Sequence, residues 1–406
     1  MDKQQQNTPI QPTTSEQQAE KLVQSGASSA NQNKSSTAWI IGVVILIVIV
    51  GSLGGYIWMQ RKAEQAKLEK PTAKIGVMLP FSGGTSTAGY GILKGVELAK
   101  KQLGATNIQL IQEDSKCDPA IAAQAVKNLV DKGVVAIIGE ACSSATLKAL
   151  PAANKYHVPL LSPASSSPQL SQKGDYFFRV VPPDQYQGEF VAKLLYNQKH
   201  LRTAAILHSD EAYGNDLAGT FTKSFEALGG KVLTNQSFET GAISLQQQVN
   251  AIKVTNPQAV YLISNSAPPA ASALQLLYAA GVHVPMYGGD SLYDGVIAST
   301  AKQAAEGFTV TSFSIGTKAF RQALADSSSS SGLTVNAPEG YDAFHAIYAA
   351  LQKGATTGEE VKNILPSIEF DGVSGHIKFD EYGEVSQNYN YTTLELKDGD
   401  FVPVEQ

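Results

Sequence analysis

Short apolar runs alternate with longer amphipathic segments over most of the chain, and this alternation constrains the fold more strongly than any other feature. Residues 75–79 form a continuous apolar run of the kind expected for a buried parallel strand, and a helical pattern follows near residues 89–103. Two further apolar runs, residues 108–111 and 134–138, flank a second helical pattern. Strands that alternate with helices predict an α/β fold with parallel sheets covered on both faces.

The alternation restarts after Arg179, and this second series predicts a second lobe. Strand patterns at residues 203–208 and 231–238 flank a helical pattern, and further strand patterns continue as far as residue 288. Residues 337–351 then form another helical pattern before the last strand patterns of the chain. Such return segments indicate that the chain crosses between the lobes several times, as in proteins with a hinged cleft.

The predicted architecture is therefore two doubly wound, Rossmann-like lobes around a hinged cleft. We expect lobe 1 to comprise residues 74–184 and 314–390, and lobe 2 to comprise residues 185–313 and 391–406. In open parallel sheets, ligands bind beyond the carboxyl ends of the strands. The cleft between the lobes is the predicted binding site.

The N-terminal part of the chain has a different character. Residues 1–37 are polar and nearly free of large apolar side chains, so we expect a disordered tail. Residues 38–59 carry no charge and are long enough to cross a membrane, which predicts one transmembrane helix ahead of the lobes. A cleaved signal peptide is the alternative for this segment. Residues 60–73 are predicted to be a charged linker.

The charges beside the apolar segment and the two cysteines favour opposite orientations. Arg61 and Lys62 follow the segment, and the positive-inside tendency would keep the lobes in the cytoplasm. Cys117 and Cys142 follow the second and third strands, whose ends are neighbours in a parallel sheet, so a disulfide is plausible and two buried thiols are the alternative. A disulfide requires an oxidising compartment, and long domains cross membranes largely regardless of flanking charge. We therefore predict a single-pass protein of the cell membrane with an extracytoplasmic body.

The composition argues against several classes of function. Lys and Arg number 31 against 36 Asp and Glu, a formal net charge of −5, which gives no support to nucleic-acid binding. Two cysteines cannot form a four-cysteine zinc site, and the six histidines never fall at metal-ligand spacing. The sequence contains no phosphate-binding Walker loop and no Gly-x-Ser-x-Gly nucleophile motif. We therefore predict no metal, no cofactor and no enzymatic activity.

Small hydroxylic loops follow three of the predicted strands at their carboxyl ends. Residues 82–86 follow the first strand and residues 141–146 the third. Residues 162–167 follow a fourth predicted strand, residues 158–161. Loops of this kind present hydroxyls, backbone N–H groups and a helix N-terminus, which can hold a carboxylate without a positive charge. Ordinary turn and capping chemistry is the alternative for any one of them. Three loops at corresponding strand ends predict a binding site for a carboxylate or a similar anion.

Short motifs also recur in a fixed order along both lobes. They are Pro80-Phe81-Ser82-Gly83, Ala88-Gly89-Tyr90-Gly91, Asp114 with Cys117-Asp118-Pro119, Ile138-Gly139, Cys142-Ser143-Ser144, Ser162-Pro163-Ala164-Ser165-Ser166, Tyr213-Gly214 and Gly288-Gly289-Asp290. With these motifs, residues 74–396 resemble the periplasmic amino-acid-binding proteins of the branched-chain type, which have the type I periplasmic-binding-protein fold. In that family the two corresponding cysteines are typically bridged, so the resemblance implies a disulfide.

The resemblance also implies roles for individual residues in binding an amino acid. The hydroxyl and backbone N–H of Ser143 and the backbone N–H of Ser166 would hold the carboxylate. The carbonyl of Ala164, the hydroxyl of Ser166 and the carboxylate of Asp290 would hold the ammonium. Ser165 belongs to the same implied ligand-binding loop. The implied aromatic contacts are Tyr90, Tyr213 from the opposite lobe, and Phe344 in the side-chain pocket.

The function that the resemblance implies is capture of a branched-chain or related amino acid by a membrane-anchored binding protein, which delivers it to the membrane subunits of an ABC permease. Asp290 stands where this branch commonly has Glu, and residues 264–266 are polar where a leucine-binding relative has an aromatic residue, so the ligand stays open. One alternative is a ligand-sensing receptor or regulatory module of the same fold that binds an amide, a urea or another small polar solute. The other is a serine hydrolase, but no histidine in the early loops supplies a base for Ser143 or Ser166.

Overall fold

The computed structural model describes most of the chain beyond its N-terminal segments. The described residues are 51–52, 54–60, 73–171, 175–239, 242, 244–327, 335–385 and 391–404. The chain divides into two compact units, Met1–Lys70 and Pro71–Gln406. Both sheets of the fold belong to the second unit.

The predicted N-terminal segments lie largely outside the described residues. In the first unit, residues 54–60 are helical and exposed. Within the described ranges, no helix combines the length and the apolar character that crossing a membrane requires. The predicted tail, residues 1–37, lies wholly outside these ranges, as do most of the predicted span 38–59 and most of the predicted linker 60–73.

Five parallel strands form the sheet of the first lobe, in the spatial order β2-β1-β3-β4-β5. Strand β1 lies between β2 and β3, so the chain reverses its direction of winding there. Ligands of open α/β sheets bind at such a point, beyond the carboxyl ends of the strands. The strands are β1 (Ala73–Leu79), β2 (Ile108–Asp114), β3 (Ala136–Gly139), β4 (Leu160–Ser162) and β5 (Phe177–Arg179).

Seven strands form the second sheet, in the order β14-β13-β10-β9-β8-β6-β7. The five strands β10, β9, β8, β6 and β7 are parallel to one another. Strand β13 pairs antiparallel with β10, and β14 pairs antiparallel with β13. The predicted α/β fold with parallel sheets is therefore confirmed. The strands are β6 (Thr203–Ser209), β7 (Lys231–Phe238), β8 (Ala259–Ile263), β9 (Met286–Gly288), β10 (Thr309–Ser312), β13 (Thr392–Lys397) and β14 (Asp400–Pro403), and a separate hairpin consists of β11 (Glu369–Asp371) and β12 (His376–Lys378).

Helices connect and cover the strands of both sheets. In the second helix, Asp118 Oδ1 accepts the backbone N–H groups of Ala120 and Ile121 at 2.8 and 2.9 Å, and Pro119 occupies the first helical position. The helices are α1 (Ser86–Gln102), α2 (Pro119–Asp131), α3 (Ser143–Tyr156), α4 (Asp184–Lys193), α5 (Ala212–Ala227), α6 (Gln246–Thr255), α7 (Ala267–Ala279), α8 (Gly295–Ala301), α9 (Lys318–Ser327), α10 (Ala337–Gln352) and α11 (Gly358–Ile364).

Each sheet has a hydrophobic core on both of its faces. In β1, Val77 packs in one core and the adjacent Met78 packs in the core on the opposite face. In β8, Val260 and Tyr261 are divided between two cores in the same way. This division follows because successive side chains of a strand point to opposite faces. Continuous apolar runs are therefore required of these strands, as their sequences show.

The chain returns to the first lobe after β10. Phe320 of α9 and Ile347 of α10 pack in the same core as Val77 of β1. Helix α10 also lies against α1 so closely that a Cβ added at Gly95 would come within 1.9 Å of the carbonyl oxygen of Ala337. The segment between β10 and α9 is therefore one of the connections between the two lobes.

Candidate ligand-binding cleft

The loops that follow β3 and β4 are joined by hydrogen bonds of their hydroxyl groups. Ser143 is the first residue of α3 and is buried, and its Oγ accepts the backbone N–H of Ser167 at 3.2 Å. Ser162 Oγ donates to the carbonyl oxygen of Glu140 at 2.6 Å and accepts the N–H of Ser165 at 2.8 Å. The two loops are thereby held in a fixed relation, with Ser143 presented at the N-terminus of a helix.

Glu140 lies buried beneath these loops. Its two carboxyl oxygens accept hydrogen bonds from the Ser115 hydroxyl and from the Cys142 backbone N–H, both at 2.5 Å. Burial raises the pKa of Glu140 to about 7, although the hydrogen bonds oppose this shift. Cys117 and Cys142 form a disulfide with their Cα atoms 5.6 Å apart, so the predicted pairing is confirmed. The loop that carries Ser143 is therefore fixed by a covalent bond as well as by hydrogen bonds.

The second lobe brings an aromatic and an acidic side chain to the cleft. Tyr213, near the start of α5, donates its hydroxyl hydrogen to Asp290 Oδ1 at 2.9 Å. Ser291 Oγ lies 3.0 Å from the Tyr213 hydroxyl oxygen and 2.7 Å from the carbonyl oxygen of Ser264. Burial raises the pKa of Asp290, and the hydrogen bond from Tyr213 opposes this shift. The protein thus orients Asp290 before any ligand arrives.

A small cavity of about 40 Å³ lies between the two lobes. Ser143 and Ala164 line it from the first lobe. Tyr213 and Asp290 line it from the second lobe. Four residues that the sequence singled out are therefore brought together in one space. Further polar groups in its lining are Thr85, Asn265, Ser291 and Asp294.

A larger cavity of about 220 Å³ adjoins the small one. The two cavities share Asp290, Val335 and Asn336 in their linings. Ser166 lines the larger cavity, and its Oγ is buried without a hydrogen-bond partner. Ile315, in the connection between β10 and α9, also lines it. The larger cavity therefore extends from Asp290 to a connection between the lobes.

Three residues implied by the resemblance line neither of these cavities. Ser165 is fully buried with its Oγ 2.6 Å from Thr146 Oγ1, so its hydroxyl stabilises the loop instead of facing a ligand. Tyr90 is 51% exposed and packs against Phe81, with ring centroids 5.5 Å apart. Phe344 is fully buried in a core of the first lobe. Phe344 therefore does not line a side-chain pocket as expected, because it lies on the face of α10 that packs into this core.

Two buried acidic residues beside the cleft were missed by the sequence analysis. Glu339 lines the larger cavity from the first turn of α10, and its Oε2 is buried without a hydrogen-bond partner. Burial raises its pKa to about 8. Asp184, at the start of α4, is also buried, and its pKa is raised by burial and by the negative charge of Asp290. The signal for Glu339 was its position inside the apolar pattern of residues 337–351.

Direct hydrogen bonds join the two lobes around the small cavity. Ser266 Oγ donates to the carbonyl oxygen of Gly84 at 2.9 Å. The backbone N–H of Ala212 donates to Ser144 Oγ at 3.0 Å. The cleft is therefore closed in this structure, and its closure explains why the polar groups at its centre are buried.

Comparison with known proteins decides the family. A family model described as periplasmic binding protein matches residues 72–400. The chain belongs to the periplasmic binding protein family. The resemblance that its motifs carry is thereby confirmed, as is the type I fold of the two lobes.

This periplasmic binding protein is similar to proteins named for branched-chain amino acids. The leucine-, isoleucine-, valine-, threonine- and alanine-binding protein of Pseudomonas aeruginosa is 27% identical over 342 residues, which are 80% of this chain and 90% of that protein. The crystal structure of the leucine-binding protein LivK from Thermotoga maritima has a TM-score of 0.76 at 25% identity, covering 82% of this chain and 98% of that chain. The chain is thus similar, at low identity, to substrate-binding proteins of branched-chain amino acid transport.

A third relative carries a ligand of different chemistry. The solute-binding protein of an ABC transporter from Rhodopseudomonas palustris, in complex with benzoate, has a TM-score of 0.75 at 21% identity and covers 82% of this chain and 95% of that chain. At that identity the similarity concerns the fold alone. The ligand of this periplasmic binding protein must therefore be argued from the residues of its own cleft.

Proposed function

We propose that this periplasmic binding protein captures an amino acid between its lobes and delivers it to an ABC transporter, as an extracytoplasmic protein anchored in the membrane by residues 38–59. The observation that carries the proposal is the meeting of Ser143 and Ala164 from the first lobe with Asp290 from the second in one closed cavity. The names of the relatives, which specify leucine and other amino acids, support the same class of ligand.

The first lobe supplies the groups that would bind the ligand's carboxylate. Ser143 offers its hydroxyl and its backbone N–H at the N-terminus of α3, where the helix dipole favours a negative charge. Ser166 would contribute its backbone N–H from the neighbouring loop. Neutral donors suffice here because an amino acid carries its own counter-charge, so no arginine or lysine is required.

The ligand's ammonium would bind to the carbonyl of Ala164, the hydroxyl of Ser166 and the carboxylate of Asp290. Ser166 Oγ is buried beside the Asp184 carboxyl, where it opposes the rise in pKa that burial causes. It forms no hydrogen bond of normal geometry, so it can accept a ligand's donor. Tyr213 already holds Asp290 by a hydrogen bond to Oδ1. One negative charge opposite an ammonium favours an amino acid over a simple carboxylic acid, because the carboxylic acid would leave Asp290 unpaired.

Binding and closure of the cleft are coupled in this proposal. The binding groups come from both lobes, so the ligand gains all of its contacts only in the closed form and shifts the population towards it. We assign residues 74–184 and 314–390 to lobe 1 and residues 185–313 and 391–406 to lobe 2. The packing of Phe320 in the same core as β1 supports this assignment.

The proposed location rests on the sequence and on the disulfide. Residues 38–59 are uncharged and long enough to span a membrane. The disulfide between Cys117 and Cys142 supports an oxidising, extracytoplasmic compartment. Protease added to intact spheroplasts should digest the lobes and spare a cytoplasmic control protein. Protection of the lobes until the cells are lysed would contradict the proposed orientation.

The ligand class is tested by isothermal titration calorimetry of the full chain with the twenty amino acids and with amides and ureas. We expect at least one amino acid to bind, and Asp290→Asn should weaken its binding by tenfold or more, because the ammonium loses a charged partner. Asp326→Asn, at an exposed position of α9, is the matched control and should bind like the wild type. Binding of an amide or urea, with no response to any amino acid, would refute the proposed ligand class.

A further inference from the structure

The larger cavity contains a buried acid that the two poles of an amino acid do not use. Glu339 is 2% exposed, lines this cavity and has no hydrogen-bond partner at Oε2. A buried polar atom without a partner is costly, and a buried charge without a partner is more so. Most of the surrounding wall is apolar. The apolar lining includes Val181, Ile315, Phe320, Leu324 and Val335.

Among the described residues, no cation pairs with Glu339. None of the ion pairs formed by the described side chains involves this residue. Arg321, which also lines the cavity, is exposed and donates to the carbonyl oxygen of Gly316 at 2.5 Å. Asp290 and Asp342 are the other charged neighbours, and both are acidic. The site therefore has an excess of carboxyl groups, and Asp342 accepts the backbone N–H groups of Val373 and Ser374.

We propose that the ligand is an amino acid whose side chain carries a second protonated nitrogen, and that this nitrogen enters the larger cavity and binds Glu339. The inference rests on the proposed function, because it assumes that the α-carboxylate and α-ammonium bind where the two cavities meet, between Ser143 and Ala164 of the small cavity and Ser166 of the larger one. Asp290 borders both cavities, so a ligand held there can extend from one into the other.

The size and lining of the two cavities agree with this division of the ligand. The small cavity has about 40 Å³ and is lined by Ser143, Ala164 and Asp290, the groups assigned to the two poles. The larger cavity, at about 220 Å³, has room for a side chain. Its apolar wall would pack against the methylene groups of that side chain, while Glu339 would pair with the terminal nitrogen. A purely aliphatic side chain would leave Glu339 Oε2 without a partner.

Titration of Glu339 provides a signature of this pairing. Burial raises its pKa to about 8, so most molecules with an empty site carry a protonated Glu339 at pH 7. A bound cation favours the carboxylate, so binding should release close to one proton at pH 7 and should tighten as the pH rises towards 8. The charged and titratable groups around Glu339 are Asp342 on its own helix, Asp290 from the second lobe, Arg321 on α9, and the phenols of Tyr293 and Tyr391.

The test compares L-lysine with L-norleucine, which lacks only the side-chain amine. In calorimetry of the full chain at pH 7, we expect L-lysine, L-ornithine or L-arginine to bind at least tenfold more tightly than L-norleucine. Binding enthalpies measured in buffers of different ionisation enthalpy report the proton release. Glu339→Gln should abolish the preference and the proton release, and should change the affinity for L-norleucine by less than about threefold. Glu226→Gln, exposed on α5, is the control and should retain both.

The possible outcomes distinguish this inference from the proposed function. If L-norleucine binds as tightly as every basic amino acid, or if Glu339→Gln keeps the preference, the inference is overturned while the proposed function stands. If no amino acid binds at all, both are overturned. Should the Glu339→Gln variant not fold, the wild type alone decides, because binding of the basic amino acids without proton release contradicts a role for Glu339.

Discussion

Glu140 supports the loop that presents Ser143. The substitution Glu140→Gln removes the ionisable group and keeps the size and shape of the side chain. The side chain is fully buried, and burial raises its pKa to about 7 from an ordinary value of 4.5. When protonated, Glu140 can accept the Cys142 N–H through one oxygen and donate to Ser115 Oγ through the other, and glutamine can make the same two bonds. The variant therefore loses the titration with little change in packing.

The raised pKa means that the folded protein binds the Glu140 proton more tightly than the unfolded chain does. The resulting stabilisation is fully present below pH 4.5 and is lost as the pH rises through about 7. The interval from 4.5 to about 7 is worth about 3 kcal/mol, because each pKa unit corresponds to 1.36 kcal/mol. Relative to Glu140→Gln, the wild type should therefore lose about 3 kcal/mol of its free energy of unfolding between pH 4.5 and pH 8.

Urea unfolding of both full chains, followed by circular dichroism at several pH values, measures this difference. Other buried carboxyls also titrate, including Asp342, whose pKa is raised to about 6, but their contributions are common to both proteins and cancel. The exposed-site control Glu226→Gln should follow the wild type at every pH. If the difference between wild type and Glu140→Gln is independent of pH, Glu140 has the same pKa in the folded and unfolded states and the reasoning fails.

The remaining predictions concern the stability of the first lobe. Replacing both Cys117 and Cys142 by alanine should lower the free energy of unfolding by about 3–4 kcal/mol, because the disulfide closes a loop of 25 residues in the unfolded chain. A reducing agent should lower the Tm of the wild type but not that of the double variant, and an equal response of the two would speak against the effect. Gly95→Ala should destabilise by about 2–3 kcal/mol, because its Cβ would lie 1.9 Å from the carbonyl oxygen of Ala337. Gly219→Ala is the control, because nothing lies within 4 Å of a Cβ added there in α5. It should raise the free energy of unfolding by up to about 1 kcal/mol in the same urea assay. Equal stabilities of the two variants would exclude the close helix contact as the cause.

Much of the fold follows from local sequence patterns. The strands β1, β3 and β6 overlap the strand patterns 75–79, 134–138 and 203–208 that predict them, because a strand buried on both faces is largely apolar. The strands β5, β10, β11 and β14 were not predicted. β5 has three residues and β14 has four, too few for a pattern to distinguish them from a loop.

The candidate site was predictable where it follows directly from strand ends. Ser143 and Ala164 lie in loops after β3 and β4, and parallel strands bring such loops to the same edge of a sheet. Phe344 and Glu339 show the limit of this reasoning. Both belong to α10, yet Phe344 packs in a core and Glu339 lines the larger cavity. An apolar helical pattern does not specify which neighbour each face of the helix meets.

The alternation of strands and helices, the two lobes and the hydroxylic loops at the strand ends follow from the amino-acid sequence alone, because they depend on the order and periodicity of neighbouring residues. Two relations follow only from the three-dimensional packing: Tyr213 orients Asp290, and Glu339 Oε2 is buried without a hydrogen-bond partner beside the same cleft. These relations join residues that are far apart in the chain, and they depend on how the returning helices pack and on the closure of the lobes. Burial and pairing set the pKa of each acid, and neither is visible in a local pattern.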